Sequence, residues 1–330
     1  MRYLLPLPSC HADGPRLAGG WLRFERVAVL ERGRAPEMLR VTELADTELA
    51  PLIRPRLPVA GLPMHRPSLM GILNVTPDSF SDGGRFLDPA AARARADAMA
   101  AADILDIGGE STRPGAVEVP ADEELARIGP VFAALTDRIR SIDTRKAMVA
   151  RRAIAAGAAL VNDVSAMRFD PDMAAVVARS DAAICLMHST GTPATMQNNP
   201  HYDDVLLDVY DALAARIGEA EAAGISRDRI VADPGIGFAK TDAHNLALIR
   251  GIALFHGLGV SLMLGVSRKG FVGRIGGAER ADARMPGTLA VTLAAVAQGV
   301  QLHRVHDVVE IAQGLALWRQ TGGRDGPVWN

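Results

Sequence analysis

The stretch 69-LMGILNVTPDSFSDGG-84 decides the fold of this chain, because a short apolar strand runs directly into a loop rich in proline and glycine. The residues from Leu69 to Val75 are almost all apolar, as in a parallel strand that is buried on both faces. Pro77 ends the strand, and Gly83 and Gly84 permit a long loop after it. The stretch therefore predicts the first strand of a parallel α/β domain.

The same unit recurs along the rest of the chain. Each further apolar run is followed by an alanine-rich, helix-like segment, and these runs are DILDIGG from Asp103, IRSIDT from Ile139, AALVNDV from Ala158, AAICLMH from Ala182, RIVADPG from Arg229, VSLMLGV from Val260 and VQLHRVH from Val300. Eight strand and helix units over about 250 residues match the size of one closed barrel. We therefore predict a (β/α)₈ TIM barrel, of class α/β, over residues 67–330.

A doubly wound open sheet is the competing architecture, since hydrophobic periodicity alone does not distinguish it from a barrel. A barrel assembles its active site from many strand ends at one mouth, whereas an open sheet concentrates its chemistry at one crevice. The ends of all eight runs are polar, glycine or histidine residues, which favours the barrel: Asn74, Gly109, Glu110, Asp143, Asn162, Asp163, His188, Asp233, Ser267 and His306.

Residues 1–66 differ in character and predict a small N-terminal extension or subdomain. They contain a strand-like stretch, WLRFERVAVL at 21–30, and a helix-like stretch, PEMLRVTELADTELA at 36–50. Prolines between Pro51 and Pro67 mark the connection to the barrel. The sequence indicates no function for this part beyond packing at the barrel base or against a neighbouring subunit.

The composition argues against several classes of protein. A formal net charge of -2 gives no strong field that would attract nucleic acid or an anionic membrane. No apolar run reaches membrane-spanning length, and the start of the chain does not resemble a secretion signal. The cysteines are Cys10 and Cys185, and Cys185 lies in an apolar run. We therefore expect a cytoplasmic protein without a disulfide.

Several motifs follow one another along the chain, namely GILNVTPDSFSDGG, ESTRPGA, SIDT, NDVSA, DPGIGFAK, SRKGF and RVHDV. In this order, over residues 67–320, they resemble the dihydropteroate synthase family. The resemblance implies a barrel transferase that joins 6-hydroxymethyl-7,8-dihydropterin diphosphate to 4-aminobenzoate in folate synthesis and releases diphosphate. It also implies a Mg²⁺ ion, a homodimer, and binding of sulfonamides, which imitate 4-aminobenzoate.

The resemblance assigns the pterin ring to side chains at the strand ends. A 2-amino-4-oxo pterin presents N–H donors beside a carbonyl acceptor, so buried carboxylates and an amide are the complementary groups. Helix capping is the alternative role for an aspartate here, and core packing is the alternative for an apolar residue. The residues implied for the ring are Asp143, Asn162, Met187, Asp233, Gly237, Phe238 and Lys269.

The resemblance places the leaving group at the same mouth. Arg113, Arg304 and His306 would donate charge-assisted hydrogen bonds to the diphosphate, and Asn74 would contact it through magnesium. Catalysis would be electrostatic, with Asp143 and Asp233 favouring positive charge on the ring as diphosphate departs. A hydrogen-bonded strand-end histidine is the alternative role for His306.

The second substrate, 4-aminobenzoate, would lie between apolar walls and a hydroxyl group. Because part of this site lies on loops, we expect it to be completed only after the pterin diphosphate binds. The residues implied for it are Phe80, Thr112, Pro114, Phe238, Ser267 and Lys269.

Two other functions remain open at this point. A pterin-dependent methyltransferase of the same barrel superfamily would bind a pterin but would need no diphosphate site. A non-catalytic paralogue would keep the pterin pocket and use residues 1–66 for interaction. The complete ESTRPGA, SRKG and RVHDV motifs argue against both.

Overall fold

The structure is a computed structural model of the 330-residue chain, and it describes residues 1–9, 11–75, 89–111, 116–191 and 200–321. The N-terminal part forms an antiparallel sheet of β1 (Tyr3–Ser9), β2 (Arg23–Leu30) and β3 (Glu37–Arg40), followed by α1 (Asp46–Ile53). The strand predicted within residues 21–30 is confirmed. The helix predicted over 36–50 is wrong in its first part, because residues 37–40 pair with β2 and bring Leu39 opposite Val27.

Eight parallel strands then close into a barrel, which confirms the predicted fold and excludes the open sheet. The strands are β4 (Ser68–Asn74), β5 (Ile104–Gly108), β6 (Arg140–Asp143), β7 (Ala158–Asp163), β8 (Ala183–Met187), β9 (Ile230–Asp233), β10 (Ser261–Leu264) and β11 (Leu302–Val305). Around the barrel they follow chain order, and β11 pairs with β4 to close the ring. Every predicted apolar run therefore overlaps a barrel strand.

Helices follow the strands and cover the outside of the barrel. They are α2 (Pro89–Ala98), α3 (Ala121–Ala134), α4 (Ala147–Ala155), α5 (Met173–Ala178), α6 (Val205–Ala222), α7 (Asp242–Arg250), α8 (Gly270–Gly276), α9 (Met285–Val296) and α10 (Val308–Thr321). Outward-facing strand residues such as Leu105, Val161 and Leu186 pack against them in the largest apolar cluster. Within the described ranges, no helix combines the length and apolar character that crossing a membrane requires.

The inside of the barrel is apolar at one end. Because side chains alternate along a strand, the residues at alternate positions point inward. Met70, Ile104, Leu160 and Met263 form an inner cluster, which the connecting segment covers with Val59, Leu62 and Met64. This packing fills the end where the strands begin, so the interior is left for polar groups at the end where the strands finish.

The N-terminal sheet packs on the outside of the barrel. The Tyr3 hydroxyl donates to the Asp211 carboxylate on α6 at 2.9 Å, and Trp21 Nε1 donates to the Val296 carbonyl at the end of α9 at 3.1 Å. Arg56, in the connecting segment, donates from Nε to the Val260 carbonyl at 3.1 Å. These contacts lie away from the polar end of the barrel and agree with a packing role.

Candidate active site

The polar strand ends meet inside the barrel where the strands finish. Asp143 ends β6, Asn162 lies one residue before the end of β7, and Asp233 ends β9. Their exposed fractions are 6%, 1% and 4%, respectively, so all three polar side chains are buried. A buried carboxylate requires a cationic or hydrogen-bonding partner, and the opposite wall of the barrel supplies one.

Arg304, on β11, is that partner. Its Nη2 donates to Asp143 Oδ2 at 2.7 Å, and its Nε donates to Asp106 Oδ2 at 2.6 Å. Asp106 Oδ2 also accepts a hydrogen bond from Asn162 Nδ2 at 3.0 Å. Residues from four different strands are therefore joined in one buried network. It connects Asp143 and Asn162, which are predicted to bind the ring, with Arg304, which is predicted to bind the diphosphate.

The network leaves acceptor atoms without a partner among the described residues. These atoms are Asp106 Oδ1, Asp143 Oδ1 and Asn162 Oδ1, all fully buried. Leaving a buried acceptor unpaired costs about 1–3 kcal/mol, and more if the group is charged. Ligand N–H donors to Asp143 Oδ1 and Asn162 Oδ1 would remove part of this cost, so the site is complementary to a flat ring with donors on its edge.

Burial also changes the protonation of the carboxylates. Burial raises the pKa of Asp143 to about 7, although the Arg304 cation opposes this, and Asp106 adds a further increase. Burial likewise raises the pKa of Asp233, against the opposing Lys269 cation. Both carboxylates therefore favour the arrival of positive charge or of an N–H donor next to them.

Two glycines keep the space between these groups open. A Cβ built on Gly108 would lie 3.6 Å from Asp143 Oδ2 and 3.8 Å from Asn74 Oδ1. A Cβ built on Gly265 would lie 3.9 Å from both Asp233 Oδ2 and Arg304 Cβ. Asp233 and Arg304 thus flank the space at Gly265, and Asn74 and Asp143 flank the space at Gly108. A larger residue at either glycine would occupy that space.

The SRKG and RVHD segments are linked residue by residue. Ser267 Oγ accepts a hydrogen bond from the His306 backbone N–H at 3.0 Å and lies 3.0 Å from His306 Nδ1. The next residues, Arg268 and Asp307, form an ion pair in which Arg268 Nε donates to Asp307 Oδ2 at 3.0 Å. Arg268 has a φ of +58°, a conformation that costs an ordinary residue free energy, and the ion pair helps to hold it. This interlock fixes Ser267 beside His306 at the rim.

Lys269 reaches back toward the ring-binding carboxylates. Its Nζ donates to the Ile236 carbonyl and lies 4.5 Å from the centre of the Phe238 ring. Burial lowers the pKa of Lys269 to about 8, against the opposing influence of Asp233. A Cβ built on Gly237 would come within 3.0 Å of Lys269 Cδ, and Gly237 also has a φ of +82°. Glycine is therefore required where the lysine crosses the loop.

Other predicted residues are placed as follows. Met187 ends β8 with 3% of its surface exposed and pairs with Asp233 in the neighbouring strand. Asn74 ends β4 and is partly exposed. Four predicted site residues lie outside the described residues, namely Phe80, Thr112, Arg113 and Pro114.

Some polar strand ends serve the structure instead of the network. Asp163 follows the inward-facing Asn162 and accepts hydrogen bonds from the Ser165 and Met167 backbone N–H groups at 2.8 Å and 2.7 Å. Glu110 binds Lys146 Nζ at 2.8 Å and accepts from the Val119 backbone N–H at 3.0 Å. Both bind neighbouring loop segments.

Sequence reasoning missed two buried residues of this region. Asp106 lies in the middle of β5, two residues after the inward-facing Ile104, so strand alternation predicts that it faces inward. Lys240 Nζ donates to the Phe238 carbonyl at 2.9 Å and lies 3.0 Å from Nδ1 of His188. Burial lowers the pKa of His188 to about 2, so this ring is neutral and accepts from the lysine. Asp106 lies inside an apolar run and not at its end, so a search for polar strand ends does not find it.

Asn74 Oδ1 and Asp143 Oδ2 are oxygen donors on either side of Gly108. Among the described residues, no group of three or more His, Cys, Asp or Glu side chains could hold a metal ion. Mg²⁺ commonly binds through one or two side chains and takes its remaining oxygens from water and substrate phosphates. The donors therefore fit a magnesium ion that is bound together with a phosphorylated substrate.

Comparison with known proteins gives a consistent result. A family model described as pterin binding enzyme matches residues 70–306. The chain is similar to the dihydropteroate synthase of Neisseria meningitidis serogroup B, with 44% identity over 268 residues, which are 78% of this chain and 94% of that protein. It is also similar to the dihydropteroate synthase of Escherichia coli K12, with 40% identity over 265 residues, covering 79% of this chain and 93% of the relative.

Solved structures agree with the sequence relatives. Xanthomonas albilineans dihydropteroate synthase with 4-aminobenzoic acid has a TM-score of 0.75 and 44% identity, over 81% of this chain and 97% of that one. The Yersinia pestis dihydropteroate synthase with a sulfonamide drug complex has a TM-score of 0.76 and 40% identity, over 81% of this chain and 98% of that one. The relatives are thus matched almost whole, while about a fifth of this chain lies outside the match.

Proposed function

Since the chain belongs to the dihydropteroate synthase family of pterin-binding enzymes, we propose that its barrel mouth joins 6-hydroxymethyl-7,8-dihydropterin diphosphate to 4-aminobenzoate and releases diphosphate. The observation that supports this most strongly is the contact of Arg304 with Asp143. Ring recognition needs buried acceptors, and the departure of diphosphate needs a cation close by. This contact puts both kinds of group within the reach of one substrate.

Ring binding is assigned to Asp143, Asn162 and Asp233. Their support is burial and, for Asp143 and Asn162, an oxygen that has no partner in the described part of the chain and can accept a ring N–H. Lys269 is a donor for the ring carbonyl, and Met187 and Phe238 pack against the ring faces. Since the carboxylates favour positive charge, they lower the free energy of the ring as the bond to diphosphate breaks.

The chemical step requires little covalent work by the protein. The C–O bond to diphosphate breaks, and its electron pair leaves with the diphosphate. The arylamine nitrogen of 4-aminobenzoate then forms the C–N bond and loses a proton. Arg304, His306 and, from the family resemblance, Arg113 stabilise the leaving group by charge-assisted hydrogen bonds.

The 4-aminobenzoate site is assigned to the outer rim. If His306 Nδ1 carries a proton, Ser267 accepts from His306 and its own hydroxyl can still donate to a carboxylate. Phe238 and the stem of Lys269 supply apolar walls, and Phe80, Thr112 and Pro114 complete the site by the family resemblance. The similar Xanthomonas and Yersinia structures, with 4-aminobenzoic acid and a sulfonamide, support this assignment.

Magnesium binding is assigned to Asn74, with the substrate diphosphate supplying further oxygens. Bound there, the ion neutralises charge on phosphate oxygens. The support is the position of Asn74 Oδ1 and the Asp143 carboxylate on either side of Gly108.

A homodimer is proposed through the last helices of the barrel. Thr288 and Thr292 of α9 are buried, while its apolar Leu289, Val291 and Leu293 are partly exposed. On α10, Val309 and Leu317 are 55% and 62% exposed. Apolar side chains on adjacent helices are typical of a surface that a second subunit covers.

The division of the chain and its location are also proposals. Residues 1–66 are assigned to an N-terminal extension of packing role and residues 67–330 to the catalytic barrel. The contacts of Tyr3 and Trp21 with the outer helices support this. A cytoplasmic location is supported by the buried free thiol of Cys185.

The test of the function is a direct assay. Purified protein is mixed with the dihydropterin diphosphate, 4-aminobenzoate and Mg²⁺, and dihydropteroate and diphosphate are both measured. We expect equal amounts of the two products, and none when 4-aminobenzoate is replaced by benzoate, which lacks the attacking amine. Binding of the pterin without any product would contradict the proposal and would favour a non-catalytic paralogue.

A further inference from the structure

Asp106 has the contacts of a residue that orients others. It lies in the middle of β5, and none of its surface is exposed. Its Oδ2 accepts from Asn162 Nδ2 at 3.0 Å and from Arg304 Nε at 2.6 Å. Asp106 Oδ1 is itself fully buried, so this carboxylate lies beneath the residues assigned to the substrate.

The hydrogen bond from Asn162 to Asp106 decides how the Asn162 amide is turned. An amide has an oxygen that accepts and an NH₂ group that donates, and either end can face a ligand. Asp106 Oδ2 accepts from Arg304 Nε and from Asn162 Nδ2, so it holds the NH₂ end of Asn162 and turns the amide oxygen away from itself.

The consequence is visible at Asn162. Its Oδ1 is buried and has no partner among the described residues, and the same is true of Asp143 Oδ1. These atoms are two acceptors from neighbouring strands, since Asp143 and Asn162 are paired in the β6–β7 register. The pocket therefore presents acceptors for N–H donors of the ligand, and the amide contributes to this only in one of its two orientations.

We propose that Asp106 is a specificity-determining positioning residue, which fixes Asn162 with its amide oxygen toward the ring and so selects a pterin edge that donates hydrogen bonds. The proposal rests on the proposed function, because it takes the pterin ring as the ligand. Asp106 acts through Asn162 and does not itself touch the substrate. It also holds Arg304 in place, which couples ring recognition to the residue assigned to the leaving group.

The first experiment measures ring binding alone. The affinity for 6-hydroxymethylpterin, which has no diphosphate, is measured by calorimetry for the wild-type protein and for D106N. The asparagine has the same shape but lets the Asn162 amide take either orientation. We expect D106N to bind this ligand about 10- to 100-fold more weakly, as is found when an outer hydrogen-bond partner of a binding residue is lost.

A matched control separates this effect from general damage. Asp103 binds Arg66 Nη2 at 2.7 Å and the Leu69 backbone N–H at 2.8 Å, where β4 and β5 begin. D103N therefore removes a carboxylate that pairs with an arginine, at the opposite end of the barrel. Its affinity for the pterin should equal that of the wild-type protein.

A second variant tests the orientation itself. In D106N/N162D the two side chains are exchanged, so the asparagine at 106 can donate to the aspartate at 162 and still accept from Arg304. Position 162 then again has to present an acceptor to the ring, and pterin affinity should recover relative to D106N. This exchange preserves the net charge of the network, and if D106N alone does not fold, the pterin affinity of the exchanged variant is compared with that of the wild-type protein.

Two results would overturn the inference while leaving the proposed function intact. One is a D106N protein that binds the pterin as tightly as wild type while dihydropteroate is still formed. The other is an exchanged variant that fails to recover affinity over D106N or fails to fold. A wild-type protein that binds no pterin at all would contradict both the inference and the proposed function.

Discussion

Nη2 of Arg304 lies 2.7 Å from Oδ2 of Asp143, which joins β11 to β6 across the inside of the barrel. Two other strands, β4 and β5, separate these strands in the wall. Proximity along the sheet therefore does not explain the contact, and both side chains must point inward at the same end. The barrel thus places a strong cation next to a carboxylate whose pKa burial raises to about 7.

Replacing Asp233 should separate activity from stability. Asp233 accepts from the Gly235 backbone N–H at 2.7 Å, and burial raises its pKa. D233N should lower kcat/KM for the dihydropterin diphosphate by about 100- to 1,000-fold, because one preorganised electrostatic group is lost. Its melting temperature should stay the same or rise, because the buried charge disfavours the folded state. Full activity together with a large loss of stability would show that Asp233 is structural.

Removing Arg304 should destabilise the barrel. Asp106 and Asp143 would lose the cation that compensates their burial, and breaking one side of a buried ion pair costs about 3–5 kcal/mol. We expect R304M to show this loss in urea unfolding. The double variant R304M/D143N should recover part of it, since one of the uncompensated charges is then gone. Strictly additive losses would contradict a direct coupling of the two side chains.

The pKa of Asp143 predicts opposite trends in activity and stability with pH. Its ordinary value is 3.8 and its folded value is about 7, so the folded protein holds the proton more tightly than the unfolded chain. The contribution of Asp143 to the free energy of unfolding should therefore fall as the pH rises from about 4 to about 7. Over the upper part of this range, kcat/KM should rise as the carboxylate ionises. D143N should lack both trends, and a wild-type pH profile retained in D143N would contradict the assignment.

The proposed magnesium ligand can be tested by titration. N74A removes the amide oxygen without leaving a buried charge unpaired. We expect this variant to need a higher Mg²⁺ concentration for half-maximal activity while its affinity for 6-hydroxymethylpterin, which carries no phosphate, is unchanged. The same Mg²⁺ requirement in N74A and wild type would place the ion elsewhere.

The proposed dimer surface can be tested at Leu317. This side chain is 62% exposed on α10, so L317E should change the stability of a single subunit by less than about 0.5 kcal/mol. At a dimer interface the same change buries a charge and should shift the sedimentation profile from dimer toward monomer. Tyr3, on the N-terminal sheet, offers a control, because Y3F removes a partly buried hydrogen bond to Asp211 elsewhere on the protein. A dimer that survives L317E would require a different interface.

Much of the barrel could be predicted because its strands are buried on both faces and therefore consist of apolar runs. The eight runs were found in this way, and Asp143 and Asp233 were visible as polar residues where such runs end. Asp106 could not be recognised in this way, because it lies inside an apolar run. Only the closed barrel shows that it faces Arg304. The helix predicted for the residues before Asp46 was wrong, because the pairing of Leu39 with Val27 is a tertiary contact that overrides local helix preference.

A crystal structure of the protein with a non-hydrolysable dihydropterin diphosphate analogue and Mg²⁺ tests the proposed function most directly. We expect a ring edge within hydrogen-bond distance of Asp143, Asn162 and Asp233, and diphosphate oxygens contacting Arg304 and His306. A ring bound on the outside of the barrel, or phosphates directed away from Arg304 and His306, would contradict it.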